Sequence, residues 1–138
     1  MTTQFTRHAL VPVADREDAH TTAQTLEPYE FGNMTVLHVV EKGEGVPDKT
    51  PVEQSEQVAA EAFDAFQETF PDADTEITYR RDVVEGITKV ASEIDASAIV
   101  FRPRGGARIV QWLAGDRSLR LITEADRPVI SVPDGDDA

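Results

Sequence analysis

The sequence predicts a three-layer α/β sandwich, in which helices cover both faces of a parallel sheet of five strands. Short apolar runs alternate with amphipathic stretches and the series ends on a strand, a pattern typical of parallel sheets. The 138 residues, 40% of them apolar, suffice for one compact domain with its own core. Right-handed crossovers then make 3-2-1-4-5 the most economical strand order.

Each predicted strand is a short apolar run bounded by polar residues or by turn-forming residues. The strands cover residues 9–13, 34–40, 75–81, 98–101 and 128–132. The third strand alternates, with Ile77 and Tyr79 on one face and polar residues such as Arg80 on the other. This alternation predicts a half-exposed strand at an edge of the sheet.

Helices are predicted where apolar residues recur at helical spacing between these strands. The first helix ends before Pro28, and the second opens at Thr50 with the pattern of a capping box. The second helix carries a phenylalanine stripe that we expect in the core. Asp82 is the expected cap of the third helix, and Asp116 is expected to cap a fourth helix near residues 117–125.

The chain is strongly acidic, which excludes one class of partner. Asp and Glu number 26 against 13 Lys and Arg, giving a net charge of −13. A nonspecific nucleic-acid-binding protein needs the opposite charge, so we expect no nucleic-acid partner. Lysine is also scarce, and an acidic, lysine-poor surface is typical of proteins that stay hydrated in a high-salt cytoplasm. The alternative is an ordinary acidic protein.

Several kinds of site are missing from the sequence. Cysteine is absent, and the three histidines do not have metal-ligand spacing. No apolar run has the roughly 20 residues of a membrane span, and no secretory stretch is found, so we expect a cytoplasmic protein without membrane insertion. No nucleophile–histidine–acid set appears. We therefore expect neither a metal site nor an enzyme, with weak nucleotide hydrolysis as the alternative.

Three of the apolar runs resemble those of the universal stress protein (UspA-like) family. Members open with a strand such as ILVPVD, have a second strand ending in LLHVV and close on a strand like CPVLVVP. The matching stretches here are ALVPV at 9–13, VLHVV at 36–40 and RPVISVP at 127–133. The resemblance implies a single domain over residues 1–138 with a flavodoxin-like (Rossmann-like) fold. Residues 134–138 are expected to be a disordered acidic tail.

ATP-binding members of that family carry a pattern similar to G-x2-G-x9-G-(S/T) after the fourth strand. Gly105 and Gly115 match two of its glycines, but Arg102 replaces the first glycine and Asp116 replaces the hydroxyl residue. Arginine hinders close backbone approach to phosphate, and a carboxylate repels it. These departures disfavour ordinary ATP binding.

A second departure concerns the acidic residue that the family has at the end of strand one. That position falls on Ala14 here, with Asp15 beside it as a substitute shifted by one residue.

Five arginines lie close together between Arg102 and Arg120, where Asp116 is the single acidic residue. Guanidinium groups suit phosphate or carboxylate ligands. The alternative is that these arginines pair with nearby acids such as Asp116, Glu124 and Asp126, or with a partner subunit. His38, within an apolar strand, is expected to be a core or rim residue with its hydrogen bonds satisfied.

Two functions follow from these observations. The first is a dimeric stress-response module with a degenerate ATP-binding loop, no cofactor and an unknown protein partner. The second is a sensor of ATP, AMP, another adenine nucleotide or a small anion. Its candidate binding residues are Val13, Ala14, Asp15, Val39, Phe101, Arg102, Arg104, Gly105, Arg108, Gly115, Asp116 and Arg117.

The final strand suggests how two copies associate. Residues from Val129 to Val132 form a short apolar run expected at an edge of the sheet, where unpaired backbone groups invite pairing. Members of the resembled family commonly dimerise through this strand. We therefore expect a homodimer in which the strand pairs with its own copy.

Overall fold

The computed structural model describes residues 4–41, 52–102 and 116–133. Within these residues strands and helices alternate strictly, and each predicted strand overlaps an observed one with its ends displaced by no more than one residue. The elements are β1 (His8–Pro12), α1 (Arg16–Leu26), β2 (Asn33–Glu41), α2 (Val52–Thr69), β3 (Asp74–Arg80), α3 (Val83–Glu93), β4 (Ala98–Phe101), α4 (Asp116–Glu124) and β5 (Val129–Ser131).

The strands form one parallel sheet in the order β3-β2-β1-β4-β5, which confirms the predicted fold class. β1 lies at the centre, with His8 opposite Asn33 of β2 and Leu10 opposite Ile99 of β4. The strand order therefore reverses between β1 and β4. In sheets of this kind, ligands bind beyond the carboxyl ends of the strands at that point.

The alternating side chains of the strands build two apolar layers. Val11 and Val13 belong to the layer beneath α1 and α2, whereas Leu10 belongs to the layer beneath α3 and α4. The predicted phenylalanine stripe lies in the first layer, where Phe66 is fully buried and its two neighbours in the stripe are partly buried. Burial of these layers on both faces of the sheet is the main stabilising contribution.

Helix starts follow the predicted caps in one case and differ in another. The Asp82 side chain accepts from the backbone N–H groups of Val84 and Glu85, which confirms it as the cap of α3. Asp116 is instead the first residue of α4, so the helix begins one residue earlier than predicted. Three predicted features lie outside the described residues, namely the Thr50 cap, the part of the glycine pattern within 103–115 and the tail 134–138.

β3 lies at one edge of the sheet, as predicted, but its two faces differ from the simple alternation. Tyr79 is 37% exposed, whereas Arg80 is half-buried and its Nε atom is fully buried. A Cβ atom on Gly86 of α3 would lie 3.2 Å from Cγ of Arg80. Because Gly86 lacks that atom, the arginine stem packs against α3. No helix in the described residues combines the length and the apolar character needed to cross a membrane.

Candidate functional site

The carboxyl ends of β1, β2 and β4 bring several predicted site residues to one edge of the sheet. Val13 follows β1, Val39 lies near the end of β2 and Phe101 ends β4. All three side chains are buried, with exposed fractions of 0%, 3% and 1%. They belong to the two apolar layers and support this edge from beneath.

The turn between β1 and α1 is held by two aspartates. Asp15 caps α1, and its Oδ1 accepts from the backbone N–H of Asp18 at 2.8 Å. Oδ2 of Asp18 in turn accepts from the backbone N–H of Ala14 at 2.7 Å. The carboxylate of Asp15 therefore serves the start of α1, which is an ordinary use of an aspartate in this position.

Arg102 turns inward at the end of β4 and forms a buried ion pair with Asp18. Its Nη2 lies 2.9 Å from Asp18 Oδ1, and the two side chains are 8% and 1% exposed. Its Nε donates to the hydroxyl of Thr22 at 3.3 Å, and that hydroxyl lies 3.3 Å from the same carboxylate oxygen. The guanidinium group thus connects the central sheet to two successive turns of α1.

Asp18 and Thr22 were missed by the prediction of site residues. Their spacing of four places them on one side of α1, and Thr22 falls within the apolar stripe of that helix. A carboxylate one turn before a buried threonine is the signal in the sequence. It indicates a polar group on the buried side of the helix, which requires a partner.

The other described arginine of the cluster pairs with two carboxylates. Arg120 lies on α4 and its Nη2 is 2.8 Å from Asp82 Oδ2, while its Nε is 3.2 Å from Glu124 Oε2. These hydrogen bonds hold the pKa of Asp82 below its ordinary value and raise the pKa of Arg120. Glu124 was among the predicted partners and Asp82 was not.

Four predicted residues lie outside the described residues, namely Arg104, Gly105, Arg108 and Gly115. For Asp116 and Arg117 the structure places the helical backbone at the start of α4. Both described side chains of the arginine cluster, Arg102 and Arg120, pair with carboxylates. This arrangement matches the pairing alternative for these two residues.

His38 joins β2 to the turn after β1. It is buried, and its Nδ1 lies 3.2 Å from the carbonyl oxygen of Val13, in agreement with the predicted rim position. Burial lowers the pKa of the imidazole, while the Val13 carbonyl and the charge of Asp15 oppose this shift. The lowered pKa favours the neutral ring, which donates to Val13 through Nδ1–H.

The described part of the chain holds no group of three or more His, Asp or Glu residues arranged for a metal ion. The described polar side chains at this edge form a cluster of hydrogen bonds and one ion pair. Its donors and acceptors are directed at one another, with Asp18 as the shared acceptor for Arg102, Thr22 and Ala14.

The sequence matches a known protein family along most of its length. The model of the universal stress protein family matches residues 6–133. No curated protein shows significant similarity to the sequence.

Solved structures share the fold at low sequence identity. The universal stress protein UspA from Lactobacillus plantarum is 24% identical, with 92% of this chain and 97% of that chain covered and a TM-score of 0.63. The universal stress protein from Archaeoglobus fulgidus in complex with dAMP is 18% identical, with coverages of 94% and 99% and a TM-score of 0.62. A universal stress protein in complex with cAMP is 13% identical, with coverages of 94% and 98% and a TM-score of 0.63.

Proposed function

Because the chain belongs to the universal stress protein family, we propose that it is a stress-response module that acts through a protein partner and does not bind ATP. Arg102 stands where the ATP-binding pattern has its first glycine. Its guanidinium is held by Asp18 and Thr22 inside the protein. This one observation carries the proposal.

The chemistry of phosphate binding explains why this arrangement matters. The glycine of the pattern lets backbone N–H groups approach phosphate oxygens closely. Arg102 brings a side chain to that place, and its charge is already neutralised by Asp18. A phosphate that took the place of Asp18 would separate the guanidinium from a carboxylate that is 1% exposed, and breaking a buried ion pair is costly.

A second candidate is a sensor of an adenine nucleotide. It is favoured by the structural relatives in complex with dAMP and cAMP and by the retained glycines Gly105 and Gly115. In this alternative the nucleotide binds through backbone groups without using the Arg102 side chain.

Calorimetric titration with ATP, ADP, AMP and cAMP in molar KCl separates the two candidates. The proposal predicts no binding and no hydrolysis by the wild-type protein. Micromolar binding of any of these nucleotides contradicts it and favours the sensor. The matched variant combines Asp18→Asn, Arg102→Gly and Asp116→Ser, which restores the pattern without leaving an unpaired buried charge. If this variant binds ATP and the wild-type protein does not, the absence of ATP binding in the wild type is due to these three positions.

The proposal extends to a homodimer formed through β5. The backbone N–H of Val132 donates to Phe101 of β4 at 2.9 Å, and Pro128 accepts from Ile99 at 2.9 Å. Since alternate residues of a strand direct their backbone groups to opposite sides, those of Val129 and Ser131 face away from β4. Pairing with a second β5 would satisfy them.

Ser131 provides a sharper test of this dimer than the neighbouring Ile130, which packs against the core. Ser131→Pro removes an outward N–H from an exposed position, and edge strands tolerate proline. We expect wild-type protein and the control Ser131→Ala to sediment as dimers in molar KCl, and Ser131→Pro as a monomer. A monomeric wild type at micromolar concentration would contradict the dimer.

A further inference from the structure

One arginine at the outer edge of the sheet has a buried donor without a partner. Arg80 is the last residue of β3, and its Nε–H is buried and makes no hydrogen bond within the described residues. Buried donors in proteins are nearly always paired, because an unpaired donor loses its hydration without compensation. Because Nε itself is buried, a ligand would contact the terminal nitrogens of this guanidinium, and a negative ligand would stabilise a group that lacks one hydrogen bond in the free protein.

Gly86 on α3 holds the arginine in this place. A Cβ atom there would lie 3.2 Å from Cγ of Arg80 and 3.1 Å from a methyl carbon of Val39. Glycine within a helix costs stability relative to alanine. Here it leaves room for the aliphatic stem of Arg80 against α3. Since Arg80 ends β3, its side chain starts from the carboxyl edge of the sheet.

The carboxylate closest to Arg80 in the sequence, that of Asp82, already has other partners. Asp82 caps α3 through Val84 and Glu85 and also accepts from Nη1 and Nη2 of Arg120 at 3.2 and 2.8 Å. Arg80 forms no ion pair with another described residue. In a chain with twice as many acids as bases, a half-buried arginine without an acidic partner among residues 4–41, 52–102 and 116–133 is unexpected.

An open cavity of about 510 Å³ adjoins the guanidinium, lined by Tyr79, Arg80, Arg81, Asp82 and Glu85. Arg81 adds a second positive charge beside Arg80. The hydroxyl of Tyr79 is engaged with Glu56 at 3.4 Å, on the other side of the strand. Glu85 is exposed and is the one lining carboxylate that does not cap the helix.

We propose that this cavity, which we term the β3 cleft, binds a phosphate-type dianion through Arg80 and Arg81. A dianion matches two adjacent guanidinium charges, and the planar fork of arginine suits phosphate oxygens. The ligand is either inorganic phosphate or the phosphate group of a small ester. The cleft is separate from the edge formed by β1 and β4, so the inference does not depend on the proposed function.

The test follows the Nε–H signal of Arg80 by nuclear magnetic resonance at constant KCl concentration. Inorganic phosphate, glycerol phosphate and acetate are titrated in turn, and the signal is assigned by its loss in Arg80→Lys. We expect phosphate to shift the signal in a saturable manner. Stronger binding of glycerol phosphate would assign the cleft to an ester, and stronger binding of inorganic phosphate would assign it to the free ion.

Three variants give the expected pattern of affinities. Arg80→Lys should weaken phosphate binding at least about tenfold, because it loses the fork. Glu85→Gln should tighten binding about threefold, because it removes a like charge from the rim of the cleft. Arg16→Gln, an exposed arginine at the start of α1, is the matched control and should leave affinity unchanged.

Several results would overturn the inference. The first is that the Arg80 signal does not shift with phosphate up to about 20 mM. The second is that acetate binds as strongly as phosphate, and the third is that the Arg80→Lys variant binds phosphate like wild type. If Arg80→Lys does not fold, the exposed Glu85→Gln variant decides, and unchanged or weaker binding by it rejects the β3 cleft as a phosphate site.

Discussion

Methionine in place of Arg102 removes the charge that faces Asp18 while keeping a long aliphatic side chain. The Asp18 carboxylate, 1% exposed, would lose the positive charge of Arg102 and keep the N–H of Ala14 and the hydroxyl of Thr22. Removing one member of a buried ion pair typically costs about 3–5 kcal/mol. We expect Arg102→Met to lower the free energy of unfolding by about 3 kcal/mol, the lower end of that range, because these two hydrogen bonds remain.

Asp18→Asn is the matched change on the other side of the pair. Its amide oxygen can still accept from Ala14, so the start of α1 keeps its hydrogen bond. Alone, this variant removes the carboxylate that Arg102 faces, whereas the double variant contains neither charge. The double variant should therefore be more stable, by about 2 kcal/mol, than the sum of the single effects predicts.

Urea unfolding followed by circular dichroism measures all four proteins at two KCl concentrations. A buried pair is little screened, so the coupling between Arg102 and Asp18 should be the same at both. Lys89 and Glu93, 3.1 Å apart and about half exposed, form the control pair. Their coupling should stay below about 1 kcal/mol and decrease with salt. Single variants within about 0.5 kcal/mol of wild type, or strictly additive effects, would show that the buried pair does not contribute to stability as expected.

Two further predictions concern pH and helix capping. Since burial lowers the pKa of His38, the neutral ring stabilises the fold above the ordinary value of 6.5, and this stability is lost as pH falls through that value. The urea midpoint of wild type should fall more steeply than that of His38→Asn between about pH 7.5 and 5.5, and parallel curves would contradict this. Asp82→Ala should destabilise by about 1–2 kcal/mol through loss of the α3 cap, measured by the same assay, with an unchanged midpoint as the contrary result. Because the pKa of Asp82 is lowered, its ionised form stabilises the fold above the ordinary value of 3.8, and this stabilisation is lost in acid. The corresponding decrease in the free energy of unfolding should be present in wild type and absent in Asp82→Asn.

The fold could be predicted from the sequence because local pattern and global topology agree. Apolar runs define the strands, helical spacing defines the intervening helices, and the crossover rule then fixes the order of the sheet. The cap at Asp82 could also be predicted, since it depends on residues two and three positions away. Features that depend on residues close together in the sequence could therefore be predicted.

The direction of buried polar side chains could not be predicted in the same way. Arg102 finds its partner Asp18 84 residues earlier in the chain, and only the packing of α1 against the sheet brings them together. Arg80 was placed on the polar face of an edge strand, but its stem is accommodated by Gly86 of the following helix. Both arginines depend on tertiary contacts that residue spacing does not encode.

The central claim is that the Arg102 guanidinium is held by Asp18 and Thr22 and does not contact a nucleotide phosphate. The Nε–H resonance of Arg102 in a titration with ATP tests this most directly, with Arg102→Lys to assign the signal. We expect the resonance to keep its position in molar KCl up to about 5 mM ATP. A saturable shift at micromolar ATP would show instead that the environment of this guanidinium changes when nucleotide binds, and that the ion pair with Asp18 does not prevent ATP binding.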